Sequence, residues 1–364
     1  MHLTLNPHPS GQRLWLDSIS RDLLDSGRLA QWIDQLSISG LTSNPAVFEA
    51  ALTGSDAYAA DIRAHAGDGL TDEAVLIELI LADLRRAADL LRPQFDASGG
   101  VDGWVSMEIS PMLAFDAEAS IAAAQQLHAQ AARPNLMMKI PGTAVGLRAV
   151  EALTFAGMPT NTTLLFSREH YRAAAEAYLC GIERRVVAGL YPCVGAVASV
   201  FISRWDVAAR PHLPLALHNT LGIAIAGRIY SFYRRLLSSP RWRVLVDAGA
   251  QPQRLLWAST GSKDETSSPT LYVQALIAAD TINTLPEATL LAWAEAAGSA
   301  ADGSPDAGAE GLSADAEAAE ARLREIAAAG VEIGQLADRL QLDGITAFVQ
   351  SWRHLLRMIA AQRA

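Results

Sequence analysis

The chain contains two lysines, Lys139 and Lys263, among 29 basic residues, so arginine supplies nearly every positive charge. Lysine can do what arginine cannot, because its amine can lose a proton and attack a carbonyl carbon. Lys139 lies in the apolar run LMMKIP (136–141), where alternation places it on the same strand face as Met137. An apolar environment favours the uncharged amine. The sequence therefore predicts that Lys139 is a carbonyl-directed nucleophile.

Polar side chains end several other apolar runs. Asp17 ends RLWLD, and Glu108 ends GWVSME with Ser106 on its face. The other polar positions at such ends, together with one aromatic residue, are Asn44, Asn161, Thr163, Ser199, Phe201 and Ser259. An amine with two carboxylates suits imine chemistry, because one carboxylate can move protons during imine formation and the other can take the hydroxyl proton that starts carbon–carbon cleavage.

Each of these residues also has a structural interpretation. Asp17 precedes a helical stretch and could cap it, and Asn44 before Pro45 is a common opening of a helix. Glu108 could be a solvated loop carboxylate, and Asn161 and Thr163 could satisfy backbone groups. Their joint occurrence with a strand-end lysine favours the functional interpretation.

A regular fold must bring the ends of these apolar runs together. They cover 13–18, 39–45, 102–110, 135–141, 159–167, 196–203, 254–260 and 280–286, with helical patterns such as 72–92, 116–132, 143–156, 168–187 and 218–238 between them. This alternation predicts a (β/α)8 barrel with extra helices, whose chemistry gathers at the carboxyl ends of the strands. A doubly wound sheet is the alternative, but neither GxGxxG nor GxxxxGK[ST] occurs.

Composition limits the class of protein. We expect one barrel domain over 1–364, with an acidic low-complexity surface loop at about 294–321 and one or two outer helices at 331–362. The net charge of −10 argues against nucleic acid as a partner, and no apolar run approaches the roughly 20 residues of a membrane span. The histidines and the two cysteines form no metal-binding spacing, so we expect no metal. A soluble cytoplasmic protein without a cofactor is the expectation, and its oligomeric state is left open.

The motifs as a set resemble the transaldolase family in its long bacterial and mycobacterial-type form. The resemblance runs from about residue 14 to 290 and rests on LTSNPAVF, VSMEIS, MMKIPGTAVGLRAVE, TNTTLLFS, ASVFISRWD and LLWASTGSKD. It implies a class I aldolase barrel of the pentose phosphate pathway. Such an enzyme transfers dihydroxyacetone from sedoheptulose 7-phosphate or fructose 6-phosphate to glyceraldehyde 3-phosphate or erythrose 4-phosphate.

The resemblance also implies a role for each residue. Lys139 would form the Schiff base, Asp17 would serve carbon–carbon cleavage, and Glu108 with Thr163 and a water molecule would serve imine formation. The substrate-binding residues would be Asn44, Asn161, Ser199 and Phe201, and those for phosphate would be Arg204, Ser259 and Lys263. Many relatives have arginine where this chain has Gly261, and Lys263 is expected to replace it.

Two other functions remain open at this point. A fructose-6-phosphate aldolase-like lyase would share the Schiff base, but Phe201 and Glu108 favour the transferase. A noncatalytic sugar-phosphate-binding barrel would need Arg204, Ser259 and Lys263 but neither the lysine nucleophile nor the two carboxylates.

Overall fold

The computed structural model describes residues 10–299 and 311–363, and in them eight parallel strands close into a barrel. Each strand pairs with the next along the chain, and the last pairs with the first. The strands are β1 (Arg13–Leu16), β2 (Ile38–Thr42), β3 (Trp104–Glu108), β4 (Leu136–Pro141), β5 (Thr160–Leu165), β6 (Ala196–Phe201), β7 (Gln253–Ala258) and β8 (Thr281–Leu285). The predicted (β/α)8 barrel is thus confirmed.

Helices connect and surround these strands. In chain order the α-helices of the described residues are α1 (Arg21–Asp25), α2 (Arg28–Gln35), α3 (Pro45–Thr53), α4 (Ala59–Ala64), α5 (Asp72–Ala97), α6 (Ala117–Ala131), α7 (Ala144–Phe155), α8 (Arg168–Val187), α9 (Ser203–Ala209), α10 (Leu221–Leu237), α11 (Pro240–Asp247), α12 (Leu271–Ala275), α13 (Glu287–Ser299), α14 (Glu317–Ala328) and α15 (Ile333–Arg363). Short 3₁₀ helices cover Asp56–Tyr58, Pro111–Leu113, Arg210–His212 and Leu215–Leu217. Every helical pattern read from the sequence corresponds to one of the α-helices.

Side-chain caps start the helices that follow several strands. Thr143 accepts a hydrogen bond from the backbone N–H of Gly146 at the start of α7, and Ser167 accepts one from His170 at the start of α8. Such caps satisfy N–H groups that have no partner within the helix. The ends of β4 and β5 therefore pass within three residues into helices that begin close to the barrel mouth.

Every second side chain along a strand points into the barrel, and these side chains fill its inside. Trp104, Met137 and Val197 line a cavity at the amino-terminal end of the strands, and Lys139 and Ser199, two residues further on, line one at the carboxyl-terminal end. Residues of the same parity therefore face the lumen, as the pattern of LMMKIP predicts. The lumen-facing apolar side chains form a buried floor beneath the polar strand ends.

The structure gives more detail for two predicted segments. The tail at 331–362, predicted as one or two outer helices, is the single helix α15, and Phe348 from its middle lines the carboxyl-terminal cavity. The acidic segment 294–321, predicted as a loop, is helical at both ends, because 294–299 belong to α13 and 317–321 to α14. Residues 300–310 of that prediction lie outside the described residues.

Within 10–299 and 311–363, no helix is both long and apolar enough to cross a bilayer. In the same ranges, no three or more His, Cys, Asp or Glu side chains come together as metal ligands would.

Candidate active site

A cavity of about 400 Å³ opens at the carboxyl-terminal mouth of the barrel. It brings together eight of the predicted site residues, which are Asp17, Asn44, Lys139, Ser199, Phe201, Arg204, Ser259 and Lys263. The other three, Glu108, Asn161 and Thr163, are buried in the strands that form the wall of this mouth. Three lining residues that the sequence analysis did not single out are Thr42, Thr284 and Phe348.

Lys139 and Glu108 form a buried ion pair at the ends of β4 and β3. They lie opposite each other in the strand register, with 3.1 Å between Lys139 Nζ and Glu108 Oε2. Lys139 is 3% exposed and Glu108 is 5% exposed, and Lys139 Nζ also donates to the carbonyl oxygen of Ser43 at 3.1 Å. Burial raises the pKa of Glu108, while the neighbouring Lys139 opposes that rise. Glu108 is therefore not a solvated loop carboxylate, and it can exchange a proton with the lysine amine.

Two buried oxygens, one in this pair and one on the neighbouring strand β5, have no hydrogen-bond partner among the described residues. Among the described residues, neither Glu108 Oε1 nor the buried Thr163 Oγ1 has a hydrogen-bond partner. Thr163 pairs in register with Pro141, two residues beyond Lys139 on β4. Buried polar atoms of this kind are normally satisfied by protein, ligand or ordered water. The wall around Lys139 thus offers polar groups that a polar ligand can use.

Asp17 follows β1 and is held by a chain of threonines. Thr42 Oγ1 donates to Asp17 Oδ1 at 2.7 Å, and Thr284 Oγ1 lies 2.7 Å from Thr42 Oγ1. Ser20, not Asp17, caps α1, so the capping interpretation of Asp17 does not hold. Burial raises the pKa of Asp17, whereas Lys139 and the hydrogen bond from Thr42 lower it. Asp17 is therefore an oriented carboxyl group at the edge of the cavity.

The sequence analysis missed Thr42 and Thr284, although a signal for each was present. Thr42 ends β2 within LTSN, and Thr284 lies near the end of the last predicted strand, DTINTLP. The strand-end argument that selected Thr163, Ser199 and Ser259 applies equally to both of these threonines.

Asn161 organises a second hydrogen-bond chain between the strands. Its Nδ2 donates to Ser106 Oγ at 2.9 Å, and Ser199 Oγ donates to its Oδ1 at 2.6 Å. Asn161 also neighbours Lys139 in register. These partners are side chains, so Asn161 does not serve to satisfy backbone groups. These two hydrogen bonds fix the position of Ser199, which lines the cavity, relative to Lys139.

Asn44 combines both interpretations given to it. Its Oδ1 accepts from the backbone N–H of Val47 at 3.1 Å and so caps α3. Its side chain also lines the cavity. Capping occupies the carbonyl oxygen of the amide and orients its Nδ2, which remains available to donate to a ligand oxygen.

Two cationic side chains, Arg204 and Lys263, also line the cavity. The half-buried guanidinium of Arg204 lies over Phe201, with 5.2 Å from Cζ to the ring centroid, and forms no hydrogen bond or ion pair with the described residues. Burial lowers the pKa of Arg204, and the charges of Glu108 and Asp17 oppose that shift. Ser259 Oγ lies 3.0 Å from Ser203 Oγ. Arg204 therefore presents open donors to the cavity.

Close packing around Gly261 leaves little room for a side chain at this position. A Cβ at Gly261 would lie 3.2 Å from Pro286 Cγ and 3.4 Å from Thr289 Oγ1, so a side chain there would force its neighbours to move. Lys263, two residues later, is exposed and lines the cavity. Lys263 can therefore bring a second positive charge to the mouth without entering the crowded space beside Gly261.

Comparisons with known proteins agree with this geometry. A sequence model of the family described as Transaldolase/Fructose-6-phosphate aldolase matches residues 14–359. The chain is 41% identical over 363 residues to a transaldolase of Thermobifida fusca, covering 98% of this chain and 96% of the relative. It is 40% identical over 347 residues to a transaldolase of Neisseria gonorrhoeae, covering 95% of this chain and 96% of the relative.

Proposed function

Because the chain belongs to the transaldolase/fructose-6-phosphate aldolase family, we propose that it transfers a dihydroxyacetone unit between sugar phosphates through a Schiff base on Lys139. The resemblance read from its motifs is confirmed, and the chain is a transaldolase of the pentose phosphate pathway. The proposed donors are sedoheptulose 7-phosphate and fructose 6-phosphate, and the acceptors are glyceraldehyde 3-phosphate and erythrose 4-phosphate. A cytoplasmic location belongs to the same proposal, because the charge of phosphorylated sugars keeps them from crossing a bilayer.

The observation that carries the proposal is the 3.1 Å ion pair between Lys139 and Glu108 at a cavity of about 400 Å³. When Lys139 gives its proton to Glu108, the amine can attack the ketone carbon of the substrate. The resulting carbinolamine loses water to give the iminium. In that dehydration Glu108 returns its proton to the departing hydroxyl, which leaves as water, and Thr163 and a bound water molecule complete the proton transfer.

Asp17 is the base for the next step, the cleavage of the carbon–carbon bond. The iminium withdraws electrons from the carbon–carbon bond, and Asp17 accepts the proton of the substrate hydroxyl as that bond breaks. The aldose phosphate leaves, and the three-carbon unit stays on Lys139 as an enamine. Reversal of these steps with a second aldose phosphate completes the transfer. The hydrogen bond from Thr42 supports this role, because it fixes the orientation of the carboxylate.

The remaining residues hold the substrate. Asn44, Asn161 and Ser199 would position the hydroxyls of the dihydroxyacetone unit, and the ring of Phe201 would form the apolar side of the cavity. Arg204, Ser259 and Lys263 would bind the phosphate. The open guanidinium donors of Arg204 favour this, because charge-assisted hydrogen bonds to phosphate are strong.

Trapping the covalent intermediate tests the proposal. Treatment with borohydride and fructose 6-phosphate should add one reduced dihydroxyacetone unit to the chain, and peptide mass spectrometry should place it on Lys139. The chain has one other lysine, so Lys263→Arg is a matched control that should keep the adduct. Lys139→Arg should abolish it, since a guanidinium stays protonated and cannot attack a carbonyl. An adduct on Lys263, or activity without any adduct, would contradict the proposal.

A further inference from the structure

Helix α15 crosses the mouth of the barrel. Its first turns pack with the buried residues around β5 and α9, where Leu336 and Leu340 share a core cluster with Leu164 and Trp205. Its last turns, with Leu355, belong to the other large core cluster, around α3 and α5. The helix therefore joins two sides of the barrel, and its middle turns lie over the cavity.

Hydrogen bonds fasten this helix on both sides of the mouth. Gln341 Nε2 donates to the carbonyl oxygens of Gly142, at 3.2 Å, and Leu164, at 2.9 Å, which lie at the ends of β4 and β5. On the far side, Trp352 Nε1 donates to Glu73 Oε1 at 3.0 Å. These contacts hold the middle of α15 in one position above Lys139.

A glycine in the middle of α15, Gly344, allows the helix to approach the site closely. A Cβ on Gly344 would lie 2.8 Å from Leu164 Cδ2 and 3.3 Å from an Arg204 guanidinium nitrogen. Glycine at this position therefore lets the helix backbone sit directly on the cavity. A larger residue would push α15 away from the end of β5.

The close approach of α15 places the apolar side chain of Phe348 at the cavity. It is 3% exposed and lines the cavity. Its ring centroid lies 5.7 Å from Lys139 Nζ and 5.9 Å from Arg204 Cζ. The lysine thus has Glu108 on one side and an aromatic ring from a distant part of the chain on another.

We propose that Phe348, carried by α15, keeps bulk water from the three-carbon unit on Lys139, and so sets the ratio of transfer to hydrolysis. The proposal rests on the proposed function, because it concerns the fate of the covalent intermediate. Closing a reacting centre with fixed apolar groups suppresses side reactions with water. Phe348 is in this sense a specificity-determining residue for the choice between an aldose acceptor and water.

The competing reaction is a hydrolysis. A proton adds to the terminal carbon of the enamine and gives an iminium, and water then attacks the iminium carbon to form a carbinolamine. The carbinolamine expels the Lys139 amine and releases free dihydroxyacetone. One water molecule is consumed and the proton is returned, so the reaction needs no further reagent. Its rate depends on how readily water reaches the carbon bound to Lys139.

The experiment compares Phe348→Ala, Phe348→Leu and Leu342→Ala with the wild type. Leu342 lies on the same helix but is 54% exposed, so it controls for removing a large apolar side chain from α15. Each variant is given fructose 6-phosphate and erythrose 4-phosphate, and free dihydroxyacetone and the transfer product are both quantified. Phe348→Ala should raise the ratio of free dihydroxyacetone to transfer product by about tenfold. Phe348→Leu should raise it less, and Leu342→Ala should leave it unchanged.

The outcomes separate this inference from the proposed function. An unchanged ratio in folded Phe348→Ala, or an equal rise in Leu342→Ala, would overturn the role of Phe348. If Phe348→Ala does not fold, Phe348→Leu decides, with a rise in the ratio supporting the role and an unchanged ratio overturning it. Borohydride trapping is run in parallel. A wild-type adduct on Lys139 with an unchanged ratio overturns this inference alone, whereas no adduct in the wild type overturns the proposed function and this inference with it.

Discussion

Glu108 and Lys139 face each other across β3 and β4, with 3.1 Å between Glu108 Oε2 and Lys139 Nζ. Both side chains are buried, and burial raises the pKa of Glu108 while Lys139 opposes that rise. The raised pKa brings Glu108 closer to sharing a proton with the amine. The pair can therefore generate the nucleophile and later protonate the leaving hydroxyl without help from bulk solvent.

The first prediction concerns Glu108→Gln. The amide cannot accept the lysine proton, so the variant should form the imine about 100- to 10,000-fold more slowly. Single-turnover trapping with borohydride at increasing times after adding fructose 6-phosphate measures this rate. Circular dichroism and urea unfolding check that the barrel remains folded. Trapping as fast as in the wild type would remove Glu108 from imine formation.

The second prediction distinguishes Asp17 from Glu108. Asp17→Asn should form the imine normally but should fail to break the carbon–carbon bond, because no base accepts the hydroxyl proton. The trapped adduct on Lys139 should therefore carry the whole six-carbon sugar phosphate, whereas the wild type carries the three-carbon unit. Intact-protein mass spectrometry resolves the two masses. A three-carbon adduct formed at the wild-type rate would contradict the assignment.

The third prediction is a change in pH dependence through Thr42. The Thr42 hydrogen bond lowers the pKa of Asp17 against the larger effect of burial. Thr42→Val removes the donor, so the pKa of Asp17 should rise. Because the proposed cleavage needs ionised Asp17, the acid limb of kcat should move to higher pH.

Thr160→Val is the matched control for this shift. Thr160 is fully buried in β5, and its Oγ1 has no hydrogen-bond partner among the described residues. Its replacement by valine should leave the acid limb in place. An acid limb that stays fixed in Thr42→Val, or moves down, would show that this hydrogen bond does not tune the reaction.

Strand parity was enough to predict which side chains enter the barrel. The alternation in LMMKIP selects Lys139 and Met137 for the lumen, and the structure places both there. The pairing of Lys139 with Glu108 could not be predicted in the same way. It depends on the register between β3 and β4, which hydrophobic alternation along one strand does not encode.

The position of Phe348, unlike those of Thr42 and Thr284, depends on contacts between distant parts of the chain. Phe348 lies on an amphipathic helix, where an aromatic residue is typical of an ordinary core position. Its place over Lys139 follows from the path of α15 across the mouth and from the close approach that Gly344 permits. Neither the path nor the approach is visible in the local pattern of the tail.

The fourth prediction concerns the packing beneath the site. A Cβ on Gly40 would lie 2.3 Å from Cε2 of the Trp15 indole, which is fully buried. Gly40→Ala should therefore destabilise the barrel by about 1–3 kcal/mol, because a packed interior cannot absorb the added methyl group. Urea unfolding measures the change. Gly334→Ala is the control, since Gly334 has open space around its Cβ and lies in α15, and it should not lower stability. Equal stability of Gly40→Ala and the wild type would contradict the crowding.

The last prediction concerns recognition of the phosphate. Arg204 is half-buried between Phe201 and Phe348, whereas Lys263 is exposed at the rim of the same cavity. An ion pair is weaker where water and salt screen it. Both Arg204→Ala and Lys263→Ala should therefore raise the KM for fructose 6-phosphate, with the larger increase, about a hundredfold, for Arg204→Ala and about tenfold for Lys263→Ala.

A ketose without phosphate is the control, because it separates loss of phosphate binding from a general loss of activity. With fructose as the donor, Lys263→Ala should behave like the wild type, because no phosphate is present to lose its partner. Lys263→Arg keeps the charge and should retain most of the affinity for fructose 6-phosphate. Rising salt should weaken the effect of Lys263→Ala more than that of Arg204→Ala, since screening acts first on the exposed group. If Lys263→Ala raised the KM equally for both donors, Lys263 would lie outside the phosphate site, and Arg204 and Ser259 would have to bind the phosphate without it.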